Sequence, residues 1–100
     1  MKKVINVTLK DIKEGEQQSC ERCPIARAAL RVLRKENVGI VRVSYSITGY
    51  VNNSRKVFMA ELPEKAKAFV HMFDTAKTYA DAIKRVKPFK FVVEFDTTFI

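Results

Sequence analysis

Cys20 and Cys23 stand three residues apart in the stretch "SCERCPIARAALRVLRK", Ser19 to Lys35, and are the only cysteines of the chain. That spacing serves metal sites and thiol redox pairs alike, and the run behind it reads as a helix. A structural zinc site needs four ligands, usually two pairs. His71, in "FVHMFD", is the sole histidine, so a metal centre would need Cys20, Cys23, His71 and a carboxylate, or an ion shared across a dimer. For redox work, Cys23 lies at a helix N-terminus, where the dipole and free amides favour a thiolate. Against it, a long loop separates the first strand from the pair. The later proline of a thioredoxin-like scaffold would be Pro63, which reads as a helix start. The plainer reading gives Cys23 the cap position before Pro24 and makes both thiols small apolar groups packing the loop onto the helix. A metal-binding or thiol-redox site at Cys20/Cys23 is the alternative.

Other chemistries find little to work with. Ser19, Ser44, Ser46 and Ser54 lack a glycine-elbow context, and one histidine leaves little choice of base. With three glycines in the chain, phosphate-cradling loops are not expected. A small basic domain invites comparison with acylphosphatases, but their glycine-rich phosphate loop with its arginine has no counterpart in "LKDIKEGEQQS". No enzyme and no cofactor are expected.

The charge is more informative. A formal net charge of +8 over 100 residues favours anionic partners such as nucleic acid or an acidic protein surface. It is also clustered. At 100° per residue, Arg27, Arg31, Arg34 and Lys35 fall on one side of the helix that opens at Pro24, opposite Ile25, Ala28, Ala29 and Val32, with Leu33 at the margin. Arg22 precedes this stripe, which has the reach to meet about three to four phosphates. Arg42, Arg55 and Lys56 add charge further along. Every amphipathic helix has a solvated face; this one is almost purely basic.

These side chains need elements to position them. "KVINVTL", Lys3 to Leu9, alternates as a first strand with Ile5, Val7 and Leu9 on one face. "TLKDIKEG" reads as a turn opened by Thr8 or Asp11 and closed by Gly15 in a left-handed stop. A helix runs from Pro24 to Glu36. "IVRVSYSI", Ile40 to Ile47, alternates as one strand with Val41, Val43, Tyr45 and Ile47 together. "TGYVNNSR" carries turn formers, and Lys56 to Glu61 returns as the second strand of a hairpin. Leu62–Pro63–Glu64 opens a helical region with Ala66, Phe69, Val70 and Phe73, then Ala76, Tyr79, Ala80 and Ile83, on its apolar stripe. Residues 64–86 suit one helix or two broken near Asp74–Thr75. Pro88 stops it, Phe89, Phe91, Val93 and Phe95 face one way on a last strand, and "DTTFI" is a tail. The resulting β-α-β-β-α-β order predicts an α+β fold, a ferredoxin-like sandwich with one antiparallel sheet and both helices on one face. RNA readers of that architecture stack bases on sheet aromatics. Here "VINVTL" has none, "RKVFMAEL" has only Phe58 and a faint likeness to such a strand, and alternation assigns Phe89, Phe91 and Phe95 to the core, so that mode is not expected.

The composition, 47% hydrophobic and 30% charged, is that of a globular chain, and residues 1–100 form one domain. No apolar run approaches the ~20 residues of a membrane helix. "MKKVINVTLKD" lacks the apolar core and cleavage site of a signal peptide, which points to the cytosol and to reduced thiols.

The first strand, then "TLKDIKEG", then "SCERCPIARAAL" resembles a group of small, mostly uncharacterised proteins encoded by bacteriophages and prophages. The shared parts are Cys23–Pro24–Ile25–Ala26, Leu62–Pro63, Phe69, Phe73–Asp74 and Pro88–Phe89–Lys90–Phe91. The segment between Asp74 and Pro88 is longer here. The resemblance implies a viral accessory protein in the host bacterial cytosol, binding a host protein or nucleic acid, and carries no catalytic assignment. The expected function is non-enzymatic binding of nucleic acid or an acidic host protein through Arg22, Arg27, Arg31, Arg34, Lys35 and Arg42. A third reading is a homodimer joined through Tyr79 to Ile83.

Overall fold

The computed structural model describes residues 1–100. Its elements run β1 (Lys2–Val7), α1 (Leu9–Glu14), α2 (Pro24–Leu33), a 3-10 turn (Arg34–Glu36), β2 (Val38–Val43), β3 (Ser46–Val51), β4 (Lys56–Glu61), α3 (Glu64–Asp74), α4 (Tyr79–Arg85), β5 (Phe89–Glu94) and β6 (Asp96–Phe99). The α+β class is as expected. The strands, however, divide into two antiparallel sheets, β1–β5 and β2–β3–β4–β6, so the single sheet of a ferredoxin-like sandwich is not what forms.

The physical reason lies at Phe95. β5 pairs with β1 from Phe89 to Glu94; past Phe95 the chain continues as β6 and pairs with β4. The Phe95 N–H still donates to the Met1 carbonyl at 2.8 Å, while its ring is 2% exposed. One extended segment therefore serves two sheets, and the expected "DTTFI" tail is mostly strand. One cluster of 25 buried residues fills the space between the sheets and helices.

The region from Ile40 to Ile47 is not one strand. It reverses at Ser44–Tyr45, Tyr45 stands 78% exposed, and Val43 pairs with Ile47 across the turn. "TGYV" then belongs to β3 (Ser46–Val51), and the expected turn is confined to the residues from Asn52 onward. Gly49 belongs in that strand because a Cβ there would stand 2.9 Å from Leu33 Cδ1: α2 packs too closely on β3 for a side chain. The helical region 64–86 is two helices, broken at Asp74–Thr75 where the sequence left the choice open. Phe69 of α3 packs on Phe89 of β5 with centroids 4.9 Å apart and the rings tilted by 31°, which binds α3 to the sheet.

What positions the basic helix is the start of the chain. "TLKDIKEG" is a short true helix, α1. Thr8 caps it: its hydroxyl accepts the Asp11 N–H, and Asp11 accepts the Thr8 N–H in return, a reciprocal capping box. Leu9, expected on the inner face of β1, belongs to α1 and is half exposed. Gly15 is not a left-handed stop, since its φ is −75°. A Cβ there would lie 2.7 Å from both the Asp11 carbonyl oxygen and Pro24 Cδ, so glycine lets α1 close against the start of α2. That joint brings Asp11 beside the arginines.

Candidate functional site

α2 buries Ile25, Ala28, Ala29 and Leu33, and Val32, expected on the core side, is only partly covered. The opposite face presents Arg27, Arg31 and Arg34, which with Leu30 line a cavity of about 200 Å³. Beneath them lies Asp11, fully buried. Its carboxylate accepts Arg31 Nη1 at 3.0 Å and Nη2 at 2.6 Å, and the Thr8 N–H and hydroxyl at 3.0 Å each. Arg31 Nη2 also donates to the Asn6 carbonyl at 3.1 Å. Such a fork-on-fork pair fixes the guanidinium plane. Arg31 nevertheless keeps 52% of its side chain exposed. Arg27 leans on the same carboxylate, its Nε 3.7 Å from Asp11 Oδ1, and reaches Glu14 at 3.4 Å through Nη2. Arg27 Nε is enclosed and has no acceptor within hydrogen-bond distance.

Burial alone would raise the pKa of Asp11. The hydrogen bonds from Arg31, those from the Thr8 backbone and hydroxyl, and the Arg31 charge outweigh it and hold the group below its ordinary 3.8. The Asp11 carboxylate in turn raises the pKa of Arg31. A carboxylate with a depressed folded pKa contributes stability that is complete above 3.8 and is lost as pH falls through the folded value. Urea titrations should therefore show the unfolding free energy dropping on acidification below about pH 4, and Asp11→Asn should lack that part of the drop.

The other expected cations are distributed differently. Arg22 pairs with Glu16 at 3.6 Å. It lines a separate depression with Arg42, Ser19, Cys20 and Glu21, where the Val43 N–H donates to the Cys20 carbonyl and ties the loop to β2. Arg34, Lys35 and Arg42 are exposed and form no ion pair. The six nominated residues thus form two groups, Arg27–Arg31–Arg34 and Arg22–Arg42, with Lys35 following Arg34. Two contributors were missed from sequence. Asp11 organises the arginines, and its only sequence signal was the capping-box pattern Thr8-x-x-Asp11. Tyr50 lies on the outer face of the larger sheet, paired with Ile40 next to the Arg42–Thr48 pair; the turn reading of "TGYVNN" hid it.

Cys23 is the N-cap of α2, its Sγ accepting the Ala26 N–H at 3.4 Å. Both cysteines are free thiols, Cys20 exposed and Cys23 buried. Burial, with smaller contributions from Asp74 and Cys20, pushes the Cys23 thiol up to about 11 against the pull of the helix amides, the reverse of what a thiolate nucleophile needs. Iodoacetamide at neutral pH should therefore label Cys20 and spare Cys23 in the folded protein, and label both in urea, as read by peptide mass; fast labelling of Cys23 in the folded state would contradict this. Cys20, Cys23, His71 and Asp74 do line one cavity, of about 380 Å³. Asp74 there accepts the Gln18 N–H at 3.0 Å, and no three His, Cys, Asp or Glu side chains are arranged to hold an ion.

The fold and site define a small α+β domain carrying an arginine face ordered by a buried carboxylate. No family model matches the chain, and neither a curated protein nor a solved structure matches it.

Proposed function

We propose that this protein is a non-enzymatic binding module that engages nucleic acid through the exposed face of α2. The observation that carries the reading is the state of Arg31: locked in a bidentate pair on buried Asp11, yet half exposed, with the unpaired Arg34 one turn on. A guanidinium held in this way loses little side-chain freedom when a phosphate arrives. Three of its five N–H donors are committed, which leaves two for a ligand. Arg42, with Tyr50 nearby on the outer sheet face, adds a cation and an aromatic surface of the kind single strands stack on. A viral accessory role in a bacterial cytosol fits the resemblance in the Cys23–Pro24–Ile25–Ala26 helix start.

The test is a titration of labelled single-stranded and duplex oligonucleotides at two salt concentrations. With about three phosphates met, affinity should fall about 20- to 40-fold between roughly 50 and 200 mM salt. No binding to either form at the lower salt would refute the nucleic-acid reading.

A further inference from the structure

The cavity on α2 is bounded by three guanidinia and one aliphatic side chain, Arg27, Arg31, Arg34 and Leu30. The spacing sets the three cations on successive turns of one face. Three cations, Arg27, Arg31 and Lys10 at 3.8 Å from Glu14, share two carboxylates, Asp11 and Glu14, and Arg34 pairs with neither. Asp11 is buried below Arg31 and cannot leave. Glu14 is half exposed, and it meets Arg27 at 3.4 Å, a long contact for a charge-assisted bond. The helix dipole gives no help here, because the pocket lies toward the C-terminal end of α2; recognition rests on the side chains. Arg34 has no partner, Arg31 has free donors, and Arg27 Nε has no acceptor.

We infer that this pocket seats a single phosphate group, and that Glu14 is the carboxylate which an arriving phosphate displaces from Arg27. The inference deepens the nucleic-acid reading of the same face and rests on it only in taking the phosphate to be part of a polynucleotide backbone. Arg31 supplies the fixed edge of the seat, Arg34 closes over the open side, and Arg27 exchanges one oxyanion for another. No bond is made or broken.

The experiment follows the arginine Nε–Hε NMR signals of the full chain during addition of sodium phosphate, with sodium chloride at matched ionic strength as the reference. The signals of Arg27, Arg31 and Arg34 should move saturably with phosphate and not with chloride. Glu14→Gln should bind phosphate about two- to fivefold more tightly, because a competing charge is gone. Arg34→Gln should bind about tenfold more weakly, and Lys65→Gln, on α3, should match the wild type. Equal responses to phosphate and chloride, or isotherms unaltered by Glu14→Gln and Arg34→Gln, would overturn the seat. A short single-stranded oligonucleotide forms the second arm. If it moves the same three signals, the phosphate is a backbone group and both readings stand. If phosphate binds and the oligonucleotide does not, the seat stands as one for free phosphate or a phosphomonoester and the nucleic-acid reading fails. If the oligonucleotide binds while none of the three signals moves with either ligand, the seat fails and nucleic acid is held by other cations.

Discussion

Replacing Asp11 by alanine should destabilise the protein by about 3 kcal/mol, lowering Tm by about 12–20 °C. Three losses combine. The reciprocal half of the α1 capping box goes with the acceptor for the Thr8 N–H and hydroxyl, while the Thr8 hydroxyl still accepts the backbone N–H of residue 11. That loss is about 1 kcal/mol by itself. The bidentate pair with Arg31 goes, and Arg27, a third of whose side chain is exposed, keeps only Glu14. Removing one partner of a buried pair costs about 3–5 kcal/mol when the survivor is left dry; Arg31 is half exposed and can rehydrate, so the lower end applies. Asp11→Asn, which keeps one acceptor oxygen for the cap, should lose roughly half as much. Denaturant melts of the two variants beside Thr8→Ala separate cap from ion pair. A loss below about 1 kcal/mol for Asp11→Ala would mean that the pair behaves like an ordinary surface contact.

Phe95→Ala should be at least as damaging, about 3–5 kcal/mol. The ring is almost fully buried at the one point where the C-terminal strand passes from β1 to β4. Its loss opens a cavity between the two sheets while the strand must still bend there. Against a total stability of about 5–15 kcal/mol for a domain, this variant approaches the unfolding threshold. Phe95→Leu should recover most of the loss. Phe99→Ala, at a residue 70% exposed, should stay within about 0.5 kcal/mol of wild type. Equal effects at positions 95 and 99 would contradict the role given to the bend.

The parts of the fold that were legible in the sequence are those with a clear period and a clear punctuation mark. Pro24 and the Ile25–Ala28–Ala29 stripe located α2, and alternation located β1, β4 and β5 to within a residue or two. The parts that were not legible depend on distant contacts. Gly49 reads as a turn former, and only the approach of Leu33 explains it within a strand. The reversal at Ser44–Tyr45 contains neither glycine nor proline. The alternation of Phe89, Phe91, Val93 and Phe95 runs unbroken through the place where the strand changes sheets. At the site, the basic stripe was visible from helical spacing, but its organiser was not. Asp11 lies 20 residues from Arg31, and nothing in local pattern shows that α1 folds back to set a carboxylate beneath that stripe. Two of the arginines that looked free are in fact held by it.

The most direct measurement on the central claim is the salt dependence of single-stranded oligonucleotide affinity for the wild type and for the double variant Arg27→Gln/Arg34→Gln, which keeps the Arg31–Asp11 pair that braces the fold. If the ordered arginine face meets the phosphates, the slope of log affinity against log salt should become shallower by about 1.4 when two contacts are removed. Parallel slopes would show that the arginines of α2 do not meet the nucleic acid.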